Sequence, residues 1–208
     1  MGIRRLAAVI MLFAALALAG CAKPNPPNAD ATEVARAAYA DPGQPMITLF
    51  TVRDARSDGG AHTGLMISGA QRVLWDPAGS FVMPGMPEVN DVLFGITPRI
   101  EKVYIDYHVR PEYYMIRQDL PVDRATADAL IALVREDGRA PAATCARTTS
   151  RILRTAGFDV GRTWFPVALM NDFGAIPGVT TQRIDVSNVD TDHNVIFGTG
   201  GVPLPPGA

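Results

Sequence analysis

The segment 61–76 constrains the fold most, because its sequence predicts a β-hairpin. Two runs rich in apolar and β-branched residues flank Ser68-Gly69-Ala70, a combination typical of a tight turn between antiparallel strands. A two-residue loop would place His62 opposite Pro77. A three-residue loop would place His62 opposite Asp76 on the same face of the sheet, with Cβ atoms roughly 5 Å apart. We take the second register, in which the Asp76 carboxylate can orient the His62 imidazole.

A helix predicted to begin near Cys145 is the second constraint. Pro141 fits the first turn of a helix, and Thr144 can cap a free amide if the helix begins there instead. Either start leaves the thiol near the positive end of the helix dipole, where a thiolate is favoured and an oxyanion can be held. The alternative is a small buried apolar residue without a chemical role. Helical spacing predicts an inward face of Cys145, Thr149, Ile152, Leu153 and Ala156, and an outward face of Arg147, Ser150, Arg151 and Arg154.

Composition and periodicity predict one domain of mixed helices and strands. The chain has 208 residues, 48% hydrophobic and 19% charged, as in an ordinary globular protein. The other predicted strands are Met46–Arg53, Tyr113–Leu120 and Val179–Val186, with a loop at Pro77–Asn90 that either packs on the core or lines a groove beside Asp76. Four other helices are predicted. A short one is capped by Asp30 and Glu33, and another runs from Pro166 to Phe173. A third begins at Thr97-Pro98 and has one face made of Ile100, Val103, Tyr104 and Tyr107, and a fourth is capped by Asp123 and has an inward face made of Ala129, Leu130, Leu133 and Val134.

Three histidines are candidate bases, and their contexts differ. His193 lies in a polar tail and is predicted to be solvated, whereas His108 follows Asp106 near a helix end and is predicted to be structural. His62 begins a strand, has a glycine close after it and has a carboxylate within reach. Catalysis by a thiol needs an imidazole to take the proton, a polar group to fix its tautomer and amides to hold the oxyanion. His62 is therefore the predicted base.

Charge and motif spacing argue against two kinds of partner. The net charge is -2 and there is no run of Lys or Arg, so nothing indicates a nucleic-acid partner. No paired-ligand motif such as Cys-x-x-Cys or His-Glu-x-x-His is present, so no metal site and no cofactor are predicted. The predicted partner is a small molecule, a peptide or a lipid.

The first residues predict an export signal with a lipid attachment site. Arg4 and Arg5 precede fourteen apolar residues, too few to span a bilayer, and Leu18-Ala19-Gly20-Cys21 resembles the lipobox of bacterial lipoproteins. That resemblance implies a lipid on Cys21 and, because Ala22 follows, a place at the outer membrane facing the periplasm. The alternative is a plain secretory signal. The predicted organisation is a signal peptide at 1–20, a lipidated cysteine and Pro-rich tether at 21–29, a domain at 30–186 and a loose tail at 187–208.

With Cys21 lipidated, Cys145 would be an unpaired cysteine in an oxidising compartment, where an odd thiol rarely persists without a use. Its surroundings resemble a known family, the circularly permuted branch of the papain-like NlpC-type peptidases, which includes the lecithin retinol acyltransferase-like proteins. In the ordinary order the cysteine helix precedes the histidine strand, and here the histidine comes first. The resemblance covers Met46–Phe173. Its motifs are an H-x-G-hydrophobic strand (His62, Gly64, Leu65), a polar residue on the next strand (Asp76), a cysteine heading a helix about eighty residues later (Cys145) and an F-P-V-A-L segment (Phe165–Leu169).

The resemblance implies an α+β, permuted papain-like fold in which an antiparallel sheet is flanked by helices and Cys145 heads a packed helix. It implies Cys145 as nucleophile, His62 as base and Asp76 as the orienting third residue, a position where retinoid-type members have a second histidine. Family activities are cleavage of amide bonds in cell-wall peptides and movement of acyl groups on lipids. We therefore expect a lipid-anchored envelope cysteine hydrolase. The alternative is a non-catalytic lipoprotein that uses the same fold to bind envelope components.

Overall fold

A seven-stranded antiparallel sheet forms the centre of the computed structural model, which describes residues 27–197. The strands are β1 (Met46–Asp54), β2 (Gly60–Ser68), β3 (Arg72–Trp75), β4 (Glu88–Val89), β5 (Val92–Phe94), β6 (Tyr113–Pro121) and β7 (Thr180–Ile184), in the spatial order β4-β5-β3-β2-β1-β6-β7. The helices are α1 (Ala31–Ala37), α2 (Pro98–His108), α3 (Arg124–Glu136), α4 (Cys145–Thr155) and α5 (Pro166–Gly174). The predicted α+β class with an antiparallel sheet is confirmed. The predicted export signal and Cys21 lie outside the described residues.

The sheet is buried on both faces, because successive side chains of its central strands point alternately into two apolar clusters. The first cluster lies between the sheet and helices α3, α4 and α5, and includes Ile47, Leu65, Leu130, Leu153 and Phe173. The second lies between the sheet and helix α2, and includes Phe50, Met66, Val103, Tyr104 and Tyr107. Helix α4 therefore lies across the sheet from α2.

A buried network of ion pairs ties α2 to the sheet. Glu101 of α2 forms ion pairs with Arg72 of β3 and with Arg117 of β6. Arg72 also pairs with Asp41 at 3.1 Å, and Arg117 pairs with Asp119 at 2.7 Å. Because Arg72 and Glu101 are buried, each charge depends on its partners for stability. The network holds α2 in a fixed position over the sheet.

Most predicted elements are present, but two strands were not predicted and one helix packs on a different face. The sequence pattern does not predict β4 or β5, which are too short to show an alternation of their own. On α3, Ala129 is exposed rather than inward, and Leu133 is only half-buried. Ala127 and Ile131 are buried in their place. The buried stripe of α3 is therefore rotated relative to the predicted one.

Helix α4 begins at Cys145, inside the predicted window, but two of its details differ from the prediction. Thr144 occupies the N-cap position without making a side-chain cap, because its hydroxyl donates to the Pro141 carbonyl at 2.6 Å. Ser150, predicted to face solvent, is fully buried. Its hydroxyl has the backbone oxygens of Arg147 and Thr163 as acceptors for its one proton, at 3.1 and 3.3 Å, and it accepts from the Thr163 amide, so it is satisfied inside the protein.

The C-terminal segment 187–197 packs on α2, which corrects the predicted loose tail over this stretch. His193, predicted to be solvated, is only 3% exposed. Its Nε2 lies 3.1 Å from Asp106 Oδ2, and its backbone oxygen accepts from Arg99 Nε at 2.7 Å. A polar sequence is held here because α2 supplies partners for its polar groups.

Candidate active site

The β2–β3 hairpin brings His62 and Asp76 together in a register that differs from the predicted one. The hairpin loop is Gly69–Gln71 rather than Ser68-Gly69-Ala70, so the predicted pairing of His62 with Asp76 is wrong by two residues. The same register, continued, places Gly64 opposite Asp76. A shift of two residues keeps both side chains on one face. They meet along the diagonal, with Nε2 of the imidazole 2.7 Å from Oδ1 of the carboxylate.

The carboxylate of Asp76 is buried in a narrow space between two glycines and a tyrosine. Tyr104 on α2 donates its hydroxyl to Oδ1 at 2.8 Å. A Cβ added at Gly64 would lie 2.2 Å from the Tyr104 hydroxyl oxygen, and one at Gly79 would lie 1.7 Å from Asp76 Oδ2. Burial raises the pKa of Asp76, but the charge and hydrogen bond of His62, with the Tyr104 hydroxyl, bring it below its ordinary value. Asp76 is therefore a buried carboxylate that stays ionised.

Cys145 reaches His62 at an open edge of β2. Helix α4 covers the opposite face of the sheet from the imidazole, but β3 pairs with β2 only over Leu65–Ser68. Beyond that point the edge of β2 is accessible. There the sulfur lies near enough to the His62 ring and to the backbone N–H groups of Thr63 and Ala146 for all three to lower its pKa. The cysteine, histidine and aspartate predicted from the sequence are thus brought together in one row, in which His62 and Asp76 are hydrogen-bonded.

The electrostatics of the row favour a thiolate beside an imidazolium. Burial alone would lower the pKa of His62, but the Asp76 charge and hydrogen bond, together with Cys145, raise it to about 10. Burial likewise raises the pKa of Cys145, yet the His62 ring and the two backbone N–H groups bring it below its ordinary value of 9.0. In the folded protein the pKa of His62 therefore lies above that of Cys145, the reverse of the order for the free side chains. Nucleophilic catalysis by a thiol requires this order.

His108 is a further member of the site, although its sequence context predicted only a structural role for it. Its ring stacks on that of His62, with centroids 5.6 Å apart and planes 9° from parallel. Its Nδ1 lies 2.9 Å from the Tyr104 carbonyl oxygen, which fixes the tautomer with the proton on Nδ1. Burial lowers the pKa of His108 to about 4, so the ring is neutral at physiological pH. The signal available in the sequence was its helical spacing of four from Tyr104.

The ligand atoms of His62, Asp76 and His108 all lie within 4.8 Å of one another, a geometry that could also hold a metal ion. They converge from two strands and a helix, so the spacing of residues in the sequence could not show it. However, His62 Nε2 and Asp76 Oδ1 are hydrogen-bonded to each other, and a metal ion would have to displace the shared proton. The row from sulfur to carboxylate is suited to proton transfer.

Gly64 and Tyr104 offer a test of how tightly the carboxylate is enclosed. Gly64→Ala should destabilise the protein by about 1–3 kcal/mol, because the methyl group would overlap the buried Tyr104 hydroxyl. Tyr104→Phe should also destabilise, since Asp76 loses a hydrogen bond. The double variant should lose less stability than the sum of the two single losses, because the overlapping oxygen is gone and the nearest remaining atom, Tyr104 Cζ, lies 3.2 Å from the added methyl group. Urea unfolding of the four proteins measures this, and strictly additive losses would contradict the overlap.

His108 should make the protein sensitive to mild acid. Its pKa is about 4 in the folded protein and 6.5 for an unperturbed histidine side chain, so the unfolded chain binds the proton first as the pH falls. Its contribution to stability is complete above pH 6.5 and is lost toward pH 4, a difference of about 3 kcal/mol. Urea unfolding between these pH values should give a flatter profile for His108→Gln than for the wild type. Parallel profiles would show that His108 does not titrate in this way.

A cavity of about 440 Å³ opens beside the imidazole. Its lining includes His62, His108 and Tyr107 on one side and the turn Ala78-Gly79-Ser80 on the other. This turn belongs to the segment Pro77–Asn90, which also packs Phe81 into the second apolar cluster, so the segment fills both of the roles expected for it. Polar and apolar groups both face the cavity, so it can hold water together with part of a substrate.

Comparison with known proteins gives no significant match to a family model, a curated protein or a solved structure. Within residues 27–197, none of the helices combines the length and apolar character needed to cross a bilayer. The arrangement of Cys145, His62 and Asp76 is consequently the main evidence on function.

Proposed function

We propose that this protein is a cysteine hydrolase that cleaves an amide or ester bond through an acyl-enzyme at Cys145. The observation that carries the proposal is the row formed by the Cys145 sulfur, the His62 ring and the Asp76 carboxylate: the ring hydrogen-bonds the carboxylate at 2.7 Å and lies near enough to the sulfur to lower its pKa. The pKa of each member is shifted in the direction that favours the state its role requires: thiolate, imidazolium and carboxylate.

In the first half-reaction, the thiolate attacks the carbonyl carbon of the substrate and a C–S bond forms. The N–H groups of Thr63 and Ala146 face the sulfur and are the donors available to the oxyanion. Because Nε2 of His62 is bound to Asp76, Nδ1 is the nitrogen left to serve the reaction. As the C–N or C–O bond breaks, His62 gives its proton to the leaving nitrogen or oxygen.

In the second half-reaction, water replaces the departed group. The neutral imidazole takes a proton from this water as it attacks the thioester carbon. The C–S bond then breaks, which releases the acid and restores the thiolate and imidazolium. The cavity beside His62 gives water a route to the acyl-enzyme, so hydrolysis is favoured over transfer to a second organic acceptor.

The setting we propose is the bacterial cell envelope, with a lipid on Cys21 anchoring the protein to the outer membrane on its periplasmic side. Support comes from the lipobox-like sequence before Cys21. The antiparallel sheet, with its histidine strand ahead of the cysteine helix, supports membership of the permuted papain-like group. A cell-wall peptide or a lipid acyl group is the substrate class that this placement favours.

Alkylation of Cys145 tests the proposal directly. At pH 6, iodoacetamide should react with Cys145 at least roughly tenfold faster than with a small model thiol, because a larger fraction is thiolate. His62→Ala and His62→Gln should both remove this advantage, and circular dichroism shows whether each variant is folded. Mass spectrometry of the peptide that contains Cys145 separates its labelling from that of Cys21. Slow labelling that neither variant changes would contradict the proposal and favour the non-catalytic binding protein.

A further inference from the structure

A second groove, of about 490 Å³, lies beside the first turns of α4. Three arginines line it, Arg147, Arg151 and Arg162, together with Trp164. The remaining lining residues are uncharged: Pro141, Thr144 and Thr148. The whole chain carries a net charge of -2, so this groove is a local concentration of positive charge on an acidic protein.

Two of the three arginines have N–H groups available for a ligand. Arg151 is occupied, since its Nη2 contacts both carboxylate oxygens of Asp137, at 2.6 and 2.7 Å. The Arg147 guanidinium lies over the Trp164 ring at 4.5 Å from its centroid, a stacking that leaves the N–H groups at its edge free to donate. Within residues 27–197, Arg162 has no hydrogen-bond or ion-pair partner and is exposed. Planar guanidinium groups of this kind bind carboxylate and phosphate oxygens in pairs.

The groove lies beside the helix that carries Cys145 rather than beside His62, which assigns it to the acyl portion of the substrate. Thr144, which lines it, directly precedes the nucleophile Cys145, whereas the cavity described above is lined by His62. The leaving group takes its proton from His62 and so departs on the histidine side. The acyl group stays bonded to the sulfur at the beginning of α4, and the groove lies beside the same turns of that helix, lined by Thr144, Arg147 and Thr148.

We infer that Arg147 and Arg162 bind an oxyanion, a carboxylate or a phosphate, on the acyl portion of the substrate. This inference rests on the proposed function, because it takes Cys145 as the nucleophile that carries the acyl group. The Trp164 ring lines the groove and is 55% exposed, so it gives the groove an apolar wall against which the rest of the acyl portion can pack.

A pair of alkylating reagents that differ in one charge tests the site without any substrate. The Cys145 thiolate displaces iodide from both iodoacetate and iodoacetamide and forms a C–S bond with the remaining group. Only iodoacetate carries a carboxylate. The ratio of their rates at Cys145 should exceed the ratio for a model thiol. Arg147→Gln and Arg162→Gln should each lower the iodoacetate rate roughly fivefold, while the iodoacetamide rate changes by less than about twofold. Arg36→Gln, which removes the same charge from α1, should leave both rates unchanged.

The outcomes separate this inference from the proposed function. Fast reaction with iodoacetamide, combined with an iodoacetate rate that neither arginine variant lowers, overturns the anion site alone. Slow reaction with both reagents overturns the catalytic thiol. Succinate and inorganic phosphate, added at equal ionic strength, identify the group that is bound: protection from iodoacetate by succinate indicates a carboxylate, and protection by phosphate indicates a phosphate. Protection by neither in the wild type overturns the site.

Discussion

Replacing Cys145 with alanine is expected to lower turnover of an activated ester or amide by roughly 10⁴-fold or more, because no other group can carry the acyl intermediate. Cys145 is buried and small, so alanine should fit with little loss of stability. Release of p-nitrophenol from a short-chain ester and of aminomethylcoumarin from an amide measures the effect. The matched control is Cys21→Ser, which removes the other cysteine of the chain and should leave turnover of the purified protein unchanged. Equal turnover by Cys145→Ala and the wild type would exclude a covalent mechanism at this residue.

The second large effect is expected for Asp76→Asn, which keeps the shape of the side chain and removes its charge. Turnover should fall roughly 10³- to 10⁴-fold, since the imidazolium loses the carboxylate that stabilises and orients it. The pKa of His62 should fall from about 10 toward its ordinary value. The pKa of Cys145 should rise, because the imidazolium beside it becomes less favourable.

The pH dependence of Cys145 alkylation measures the change in the pKa of Cys145 independently of turnover. The rate falls as the pH drops through the pKa of the thiol, so the whole profile should move to higher pH in Asp76→Asn. Asp106→Asn is the matched control, because Asp106 also hydrogen-bonds a histidine, His193, on the outer side of α2. An Asp76→Asn profile that coincides with that of Asp106→Asn would rule out the orienting role of Asp76.

Local signals in the sequence predict the helices of this protein well. Thr97 and Pro98 indicate the beginning of α2, and the helix begins at Pro98 with the Thr97 hydroxyl accepting from the Ile100 amide. Asp30 and Glu33 form the predicted capping box of α1. These predictions succeed because a cap and its acceptor lie within a few residues of each other.

The register of the hairpin could not be predicted, because a distant residue takes part in its turn. The amide of Ala70 donates to Asp128 Oδ1 on α3 at 2.6 Å, and the Arg72 amide donates to the Tyr39 carbonyl at 2.7 Å. Both partners become neighbours of the loop only after the helices pack on the sheet. Asp76 is not the residue opposite His62, yet it still hydrogen-bonds the His62 ring, since a shift of two residues preserves the face.

The roles of Gly64 and His108 also depend on tertiary packing. A glycine in a strand indicates a close approach by some other group, but the sequence does not say which. Here it is the hydroxyl of Tyr104, brought in by α2. His108 lies on the same helix, and only the angle at which α2 crosses the sheet decides that its ring stacks on His62.

The docking of segment 187–197 on α2 bears on how far this chain can be shortened without harm. Besides the His193 contacts, Lys102 of α2 pairs with Asp190 at 2.7 Å, and the ring of Phe197 lies near that of Tyr107. The same helix presents Tyr104 to Asp76 from its other side. A chain truncated after Val186 would strip the outer surface of α2 and loosen the hydroxyl that Asp76 depends on. The segment that follows the last strand of the sheet therefore contributes to the support of the row formed by Cys145, His62 and Asp76.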